Sequence, residues 1–351
     1  MLSISEFGEA VQDYLLKRYP GIEDIVISPI RKNNGLVLHG MRIKERESNT
    51  SPVIYLDSFY QQFKEREFTL DEACDQIAMF YQQDSTPSID LSWFSDYIQC
   101  RDKLTVKLVG LEENKEFLKD VAHFEYGDLA GIYQIDLRNV LPGNLGHSTI
   151  TVKNEHMAKW NISNRQIYVD TMLNLHKQEY EITDLMDIIT ALIPEEAVLD
   201  LEAMEKPIME MYVLSNHDVC YGAAGMLRTD LLQDFSDKIG KNLVILPSSL
   251  HEVILVPEDQ KTDMETLVDM VTSINADVVE KEDRLNDNAY FYDRKTHEMY
   301  QGAEKRLMQI KVSTEKAQAE KTSVLGKLKE NQEKIQQTEK DIPERSHEKE
   351  R

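Results

Sequence analysis

The stretch Leu243-Val244-Ile245-Leu246-Pro247-Ser248-Ser249-Leu250-His251-Glu252-Val253-Ile254-Leu255-Val256 holds two unbroken aliphatic runs. A strand with no polar alternation presents apolar groups on both faces, so both faces require cover. The short connection opened by Pro247-Ser248-Ser249 brings the second run back beside the first, antiparallel. Upstream, Tyr212-Val213-Leu214 reads as a strand and Gly222-Ala223-Ala224-Gly225 as a small-residue turn. A helix is expected over 227–239, where Leu227, Leu231, Phe235 and Ile239 recur every four residues and Gly240 supplies the C-terminal cap. Downstream, a helix over 263–275 buries Met264, Leu267, Val268, Val271 and Ile274, and a hairpin follows near 289–300. Close antiparallel strands interleaved with amphipathic helices define an α+β fold, mainly antiparallel, with helices packed on the sheets.

The N-terminal part repeats this logic. Ser3-Ile4-Ser5-Glu6 is a capping box, and Ile4, Phe7, Val11, Tyr14 and Leu15 form one helical stripe ended by Pro20-Gly21. Strands are expected over 24–32 and 35–46, joined at Asn33-Asn34-Gly35, residues that tolerate positive φ. A short strand over 52–56 and helices over 57–65 and 69–81 complete the segment. In the middle of the chain, helices are expected over 89–101, 112–119, 154–160, 163–177 and 183–193, and strands over 104–108, 130–137 and 147–153. Pro142-Gly143-Asn144-Leu145-Gly146 is turn chemistry. A polar run at 82–88 divides two lobes, 1–85 and 86–302, which are also compatible with one domain. From 303 to 351 aromatics vanish and Lys, Glu and Gln dominate. Leu307, Ile310, Ala317, Val324, Leu328 and Ile335 follow a rough heptad interrupted by Thr314, Lys321 and Asn331, so a polar helical tail or weak coiled coil is expected.

The 351 residues carry 63 acidic against 40 basic side chains, net −23, and 41% of residues are hydrophobic. That apolar content excludes disorder throughout. Residues 303–351 hold 12 basic and 10 acidic side chains, which leaves 28 basic and 53 acidic in the remainder. Such a body repels a phosphate backbone, and nucleic acid is not the expected partner. No apolar run reaches the roughly 18 residues of a membrane span. Residues 1–10 lack the basic start and apolar stretch of a secretion signal, so a cytoplasmic location is expected. Cys74, Cys100 and Cys220 are far apart and form no CxxC pair, which argues against a disulfide framework or a cysteine zinc site.

The runs Asn33-Asn34-Gly35, Ser51-Pro52-Val53-Ile54-Tyr55-Leu56 and Met211-Tyr212-Val213-Leu214-Ser215-Asn216, and above all Leu246-Pro247-Ser248-Ser249-Leu250-His251-Glu252-Val253-Ile254, resemble an uncharacterised bacterial domain-of-unknown-function family. The likeness covers about residues 1–300. It implies a cytoplasmic protein of Gram-positive, gut-type bacteria, often encoded on mobile elements. It brings no activity, cofactor or catalytic residue.

Four groups of side chains bear on chemistry. His251 and Glu252, with Ser248 and Ser249 beside them, offer a base, an orienting carboxylate and hydroxyls. Equally, the serines shape a turn and His251 bonds a neighbouring loop. A zincin helix would need a second His at the position of Leu255. Cys220, close to His217 and Asp218, would become nucleophilic if His251 approached it; otherwise it is a small buried hydrophobe. Gly222 and Gly225, with Asn216 before them, either cradle an anion at a helix start or let backbones approach closely. Arg42, Lys44 and Arg46 alternate on one strand face, either as a basic stripe that binds an acidic protein or a nucleic-acid backbone or as the solvated face of a hairpin. The histidines show no ligand spacing, and neither a metal nor a cofactor is expected. The resulting expectation is a non-enzymatic cytoplasmic binding or accessory protein, associated with a bacterial mobile element, its protein partner met through the tail. The alternative is a thiol- or hydroxyl-dependent hydrolase using Cys220 or Ser249 with His251.

Overall fold

The two aliphatic runs form neighbouring strands, β10 (Leu243–Leu246) and β11 (Val253–Pro257), paired antiparallel with Val244 opposite Val256. All four residues of β10 are fully buried, as unbroken aliphatic strands require. In the computed structural model the described residues are 2–46, 51, 53–83, 90–138, 148–192, 209–247, 249–258 and 264–301. The chain divides into two units, Met1–Glu298 and Met299–Arg351. The expected tail, the turn over 142–146, most of the run 82–88, and Ser248 lie outside the described residues.

Within the first unit, β10 and β11 are central to a sheet ordered β12 (Tyr290–Asp293), β10, β11, β9 (Tyr212–Asn216), β8 (Tyr180–Asp184). A second sheet is built around β6 (Leu129–Asp136), with β4 (Leu104–Gly110) on one side. The other side is shared by β5 (His123–Tyr126), opposite Leu129 to Ile132, and β7 (Thr149–Thr151), opposite Gln134 to Asp136. A third sheet holds β1 (Ile22–Arg31), β2 (Val37–Glu45) and β3 (Val53–Tyr55) in that order. These strand pairings are antiparallel, and the fold is α+β.

Local chemistry accounts for the helices. Ser3 Oγ accepts from the Glu6 amide, and Glu6 accepts the Ser3 amide at 2.7 Å, so both halves of the capping box form at Ile4–Arg18. Phe7, Val11 and Leu15 then pack on Ile25, Met41 and Ile43 of the third sheet. Gly240, at φ 72, ends the helix Thr229–Ile239. That helix buries Leu232 and Phe235, so its inward stripe runs one position from the expected row. The expected helix over 89–101 is instead a 3₁₀ turn, Ser92–Ser95, and a short helix, Tyr97–Arg101. Asp96 separates them, because its carboxylate accepts the Ile98 amide and starts a new helix.

The hairpin tip places the third sheet. Asn34 and Gly35 take φ 54 and 66, the left-handed values their types allow. The Asn33 amide donates to the carbonyls of Glu282 and Arg284, both at 2.9 Å, and Asn34 donates to those of Lys281 and Arg284. Buried Asn114 accepts the Asn34 amide at 3.0 Å and donates to Asn33 Oδ1 and the Gly110 carbonyl. The tip is therefore a clamp inside the first unit, while the strands behind it stay exposed on their outer face.

Candidate functional site

After β9 the chain makes a tight turn before the 3₁₀ segment Gly222–Leu227. Asn216 holds the turn by both ends of its amide: Oδ1 accepts the Cys220 N–H at 3.0 Å and Nδ2 donates to the Cys220 carbonyl at 2.8 Å. Val219 and Tyr221 adopt φ 48 and 53. For a β-branched valine this is unfavourable, and each such residue costs about 1–3 kcal/mol. Gly222 permits the closure, since a Cβ there would meet Ser215 Oγ at 2.2 Å and the His251 carbonyl at 2.4 Å. At Gly225 a Cβ would meet the Tyr180 ring at 2.6 Å. The Ala223 and Ala224 amides already donate to the carbonyls of Leu250 and Tyr221. The two glycines thus serve close approach, and those amides are not turned toward an anion.

His251 enters from the segment before β11. Its Nδ1 accepts the Tyr221 amide at 3.4 Å, so the proton is on Nε2, which faces Asp283 Oδ1 at 3.3 Å. The Tyr221 and His251 rings stack, with centroids 5.8 Å apart and planes at 13°. Ser249 is buried, and its Oγ accepts the His251 amide at 2.9 Å, which shapes the turn. Glu252 takes no part in these contacts.

Cys220 is half-buried in a cleft with Thr105, Asp136, Arg138, Asn216 and Tyr221. Burial pushes its thiol above the ordinary value, against the opposing pull of Lys107 and Arg138. Arg138 bridges Asp136, at 2.7 Å from Nε, and Asp218, so its charge is already balanced. The cleft continues past Arg138 into a groove of about 220 Å³ lined by Lys103, Asn174 and Lys177. A separate cavity of about 620 Å³ lies by the hairpin clamp, lined by Asn34, Glu113, Asp128 and Arg284.

Sequence reasoning missed Lys107. It alternates with buried Val106 and Leu108 on β4 and reads as solvent-facing. In the fold the Cys220 turn covers that face, and the Lys107 ammonium sits 4.4 Å from the Tyr221 ring centroid. Burial first, then the charge of Lys32, lower its pKa to about 8. Nothing local in the sequence signals this, because the cover comes from residues more than a hundred positions away.

The basic stripe stands apart from this corner. Lys44 pairs with Glu23 at 2.9 Å, Arg42 reaches Ser28 Oγ at 3.4 Å, and Arg46 is exposed. Among the described residues no group of three or more His, Cys, Asp or Glu is placed to hold a metal ion. Among them, too, no helix is long and apolar enough to cross a membrane.

A family model, described as a family of unknown function, matches residues 4–294. The chain belongs to DUF5688. The match takes in the Asn33-Asn34-Gly35 clamp, the Cys220 turn and the His251 segment, and stops before the polar tail, so the DUF5688 region coincides with almost all of the first unit. No curated protein and no solved structure matches this DUF5688 chain.

Proposed function

We propose that this DUF5688 protein is a non-enzymatic binding or accessory protein of the cytoplasm, serving a bacterial mobile element and meeting a protein partner rather than nucleic acid. The observation that carries the reading is the state of His251. One ring nitrogen accepts a backbone amide and the other faces Asp283, so the imidazole has no lone pair turned to a thiol. Burial meanwhile holds the Cys220 thiol protonated at neutral pH. A thiol hydrolase needs the opposite arrangement, a base bonded to a depressed thiol. Arg42 and Lys44 are partly engaged by Ser28 and Glu23, which weakens the nucleic-acid reading of that stripe. The polar segment 303–351 and the outer face of the β1–β2 hairpin are the surfaces assigned to the partner.

The test is the pH dependence of iodoacetamide alkylation at Cys220 in the folded protein. The rate should rise only above the ordinary thiol range, and Cys220→Ser should leave ester and thioester hydrolysis at background. A rate already at its plateau below pH 7, with turnover lost in that variant, would establish the hydrolase instead.

A further inference from the structure

We infer that Asn34 is a self-modification site that makes opening of the hairpin clamp one-way. Closed, the clamp shields the Asn34 side chain; once open, that side chain cyclises onto Gly35 and the product cannot be clamped again. Asn34-Gly35 is the only Asn-Gly pair in the 351 residues. Glycine carries no Cβ, so its backbone nitrogen can approach the preceding side chain without hindrance. Gly35 is exposed and Asn34 half-buried, so water reaches the tip. In the closed clamp, however, three contacts and the backbone itself block cyclisation. Asn34 Nδ2 donates to the carbonyls of Lys281 at 2.9 Å and Arg284 at 2.8 Å. Asn34 Oδ1 accepts from Asn114 Nδ2 at 3.4 Å, so both ends of the side-chain amide are held. At ψ 35 the Gly35 nitrogen is turned to the far side of the Cα–C bond from Cβ, where it cannot reach Cγ.

The step needs only water. The Gly35 nitrogen attacks Asn34 Cγ as its proton leaves. A C–N bond forms, the Cγ–Nδ2 bond breaks, and ammonia departs with a proton. Water then adds to either carbonyl of the cyclic imide and opens it, leaving aspartate or isoaspartate at position 34. The same geometry decides the consequence. Both partners of Nδ2 are carbonyl oxygens, which take only donors, whereas a carboxylate has no hydrogen to give and sets oxygen against oxygen. Reclosure therefore loses two hydrogen bonds and gains a repulsion. The inference goes beyond the binding role above and does not depend on a partner or on Cys220.

The experiment incubates the full chain at pH 8, folded and in guanidinium chloride, and follows deamidation at every asparagine by peptide mass spectrometry. In denaturant Asn34 should be the fastest asparagine of the chain. In the folded protein it should react roughly tenfold or more slowly, because only the open fraction reacts. Asn114→Ala, which removes one holder of the side chain, should raise the folded rate severalfold. The deamidated wild-type chain, separated by its added negative charge, should have lost hydrogen-exchange protection at the residue 34 amide, which Asn114 Oδ1 accepts in the closed clamp. Equal Asn34 rates in the folded and denatured chains, another asparagine reacting faster in denaturant, or unchanged protection in the separated product overturns the inference. These three readouts use the wild-type chain and stand even if Asn114→Ala fails to fold.

Discussion

Replacing Lys107 by Met tests how the Cys220 turn covers β4. The substitution keeps the length of the side chain and removes its charge. In the folded protein the amine's pKa falls from 10.5 to about 8, because burial and the neighbouring Lys32 disfavour the charged form. At about 1.4 kcal/mol per tenfold change in acidity, that fall corresponds to about 3 kcal/mol against folding below pH 8. Lys107 is half-buried as a residue, and discounting for that exposure brings the effective penalty to about 2 kcal/mol. Loss of the cation–π contact with Tyr221 offsets about 0.5–1 kcal/mol. A net gain of about 1 kcal/mol at pH 7 remains. The sign follows from proton binding: the unfolded chain holds this proton more tightly, so wild-type stability from this group rises between pH 8 and 10.5. The advantage of Lys107→Met should therefore be full at pH 7 and mostly gone by pH 10. Urea unfolding of both proteins at the two pH values measures it. A variant less stable than wild type at pH 7, or a gain unchanged at pH 10, would refute the reasoning.

Asn114→Ala removes the acceptor for the Asn34 amide and the donor to Asn33 Oδ1 and Gly110. With those groups left buried and unpaired, it should cost about 2–4 kcal/mol, and hydrogen exchange should quicken at Asn34. Gly222→Ala forces a Cβ against Ser215 Oγ and the His251 carbonyl. A loss of about 1–3 kcal/mol in urea unfolding is expected, whereas Gly21→Ala, with open space around it, should change little. Asp230 is held below the usual carboxylate range, chiefly by its hydrogen bond with Arg228. Its stabilisation is present above the ordinary carboxylate pKa and is lost as pH falls through the lowered folded value. Asp230→Asn should thus lower stability by about 1 kcal/mol at pH 7 and flatten the acid limb of a stability–pH curve.

Elements whose signals lie within a few residues were legible. The Ser3–Glu6 capping box, the Asn34-Gly35 turn, the paired aliphatic strands and the Gly240 cap all formed as local chemistry dictates. β8 escaped because Asp184 leads straight into the helix Leu185–Leu192, with no glycine or proline to mark the boundary. The candidate site divided the same way. Cys220, Asn216, Ser249 and His251 were singled out by type, and they do converge on one turn. What they do there was hidden, since Asp283, which faces His251, and Lys107, whose ammonium lies against the Tyr221 ring, arrive from distant parts of the chain.

The Asn33 amide finds its carbonyl acceptors 249 and 251 positions later in the chain. During synthesis at about 5–20 residues per second, the tip therefore leaves the ribosome many seconds before its acceptors exist. Until then the β1–β2 hairpin has its own helices and the Asn114 half of its clamp, and the clamp closes only once the emerging polypeptide has passed Arg284. Truncations before that point would leave Asn33 and Asn34 without the carbonyls of Lys281, Glu282 and Arg284 even though every residue of the hairpin's own core is present.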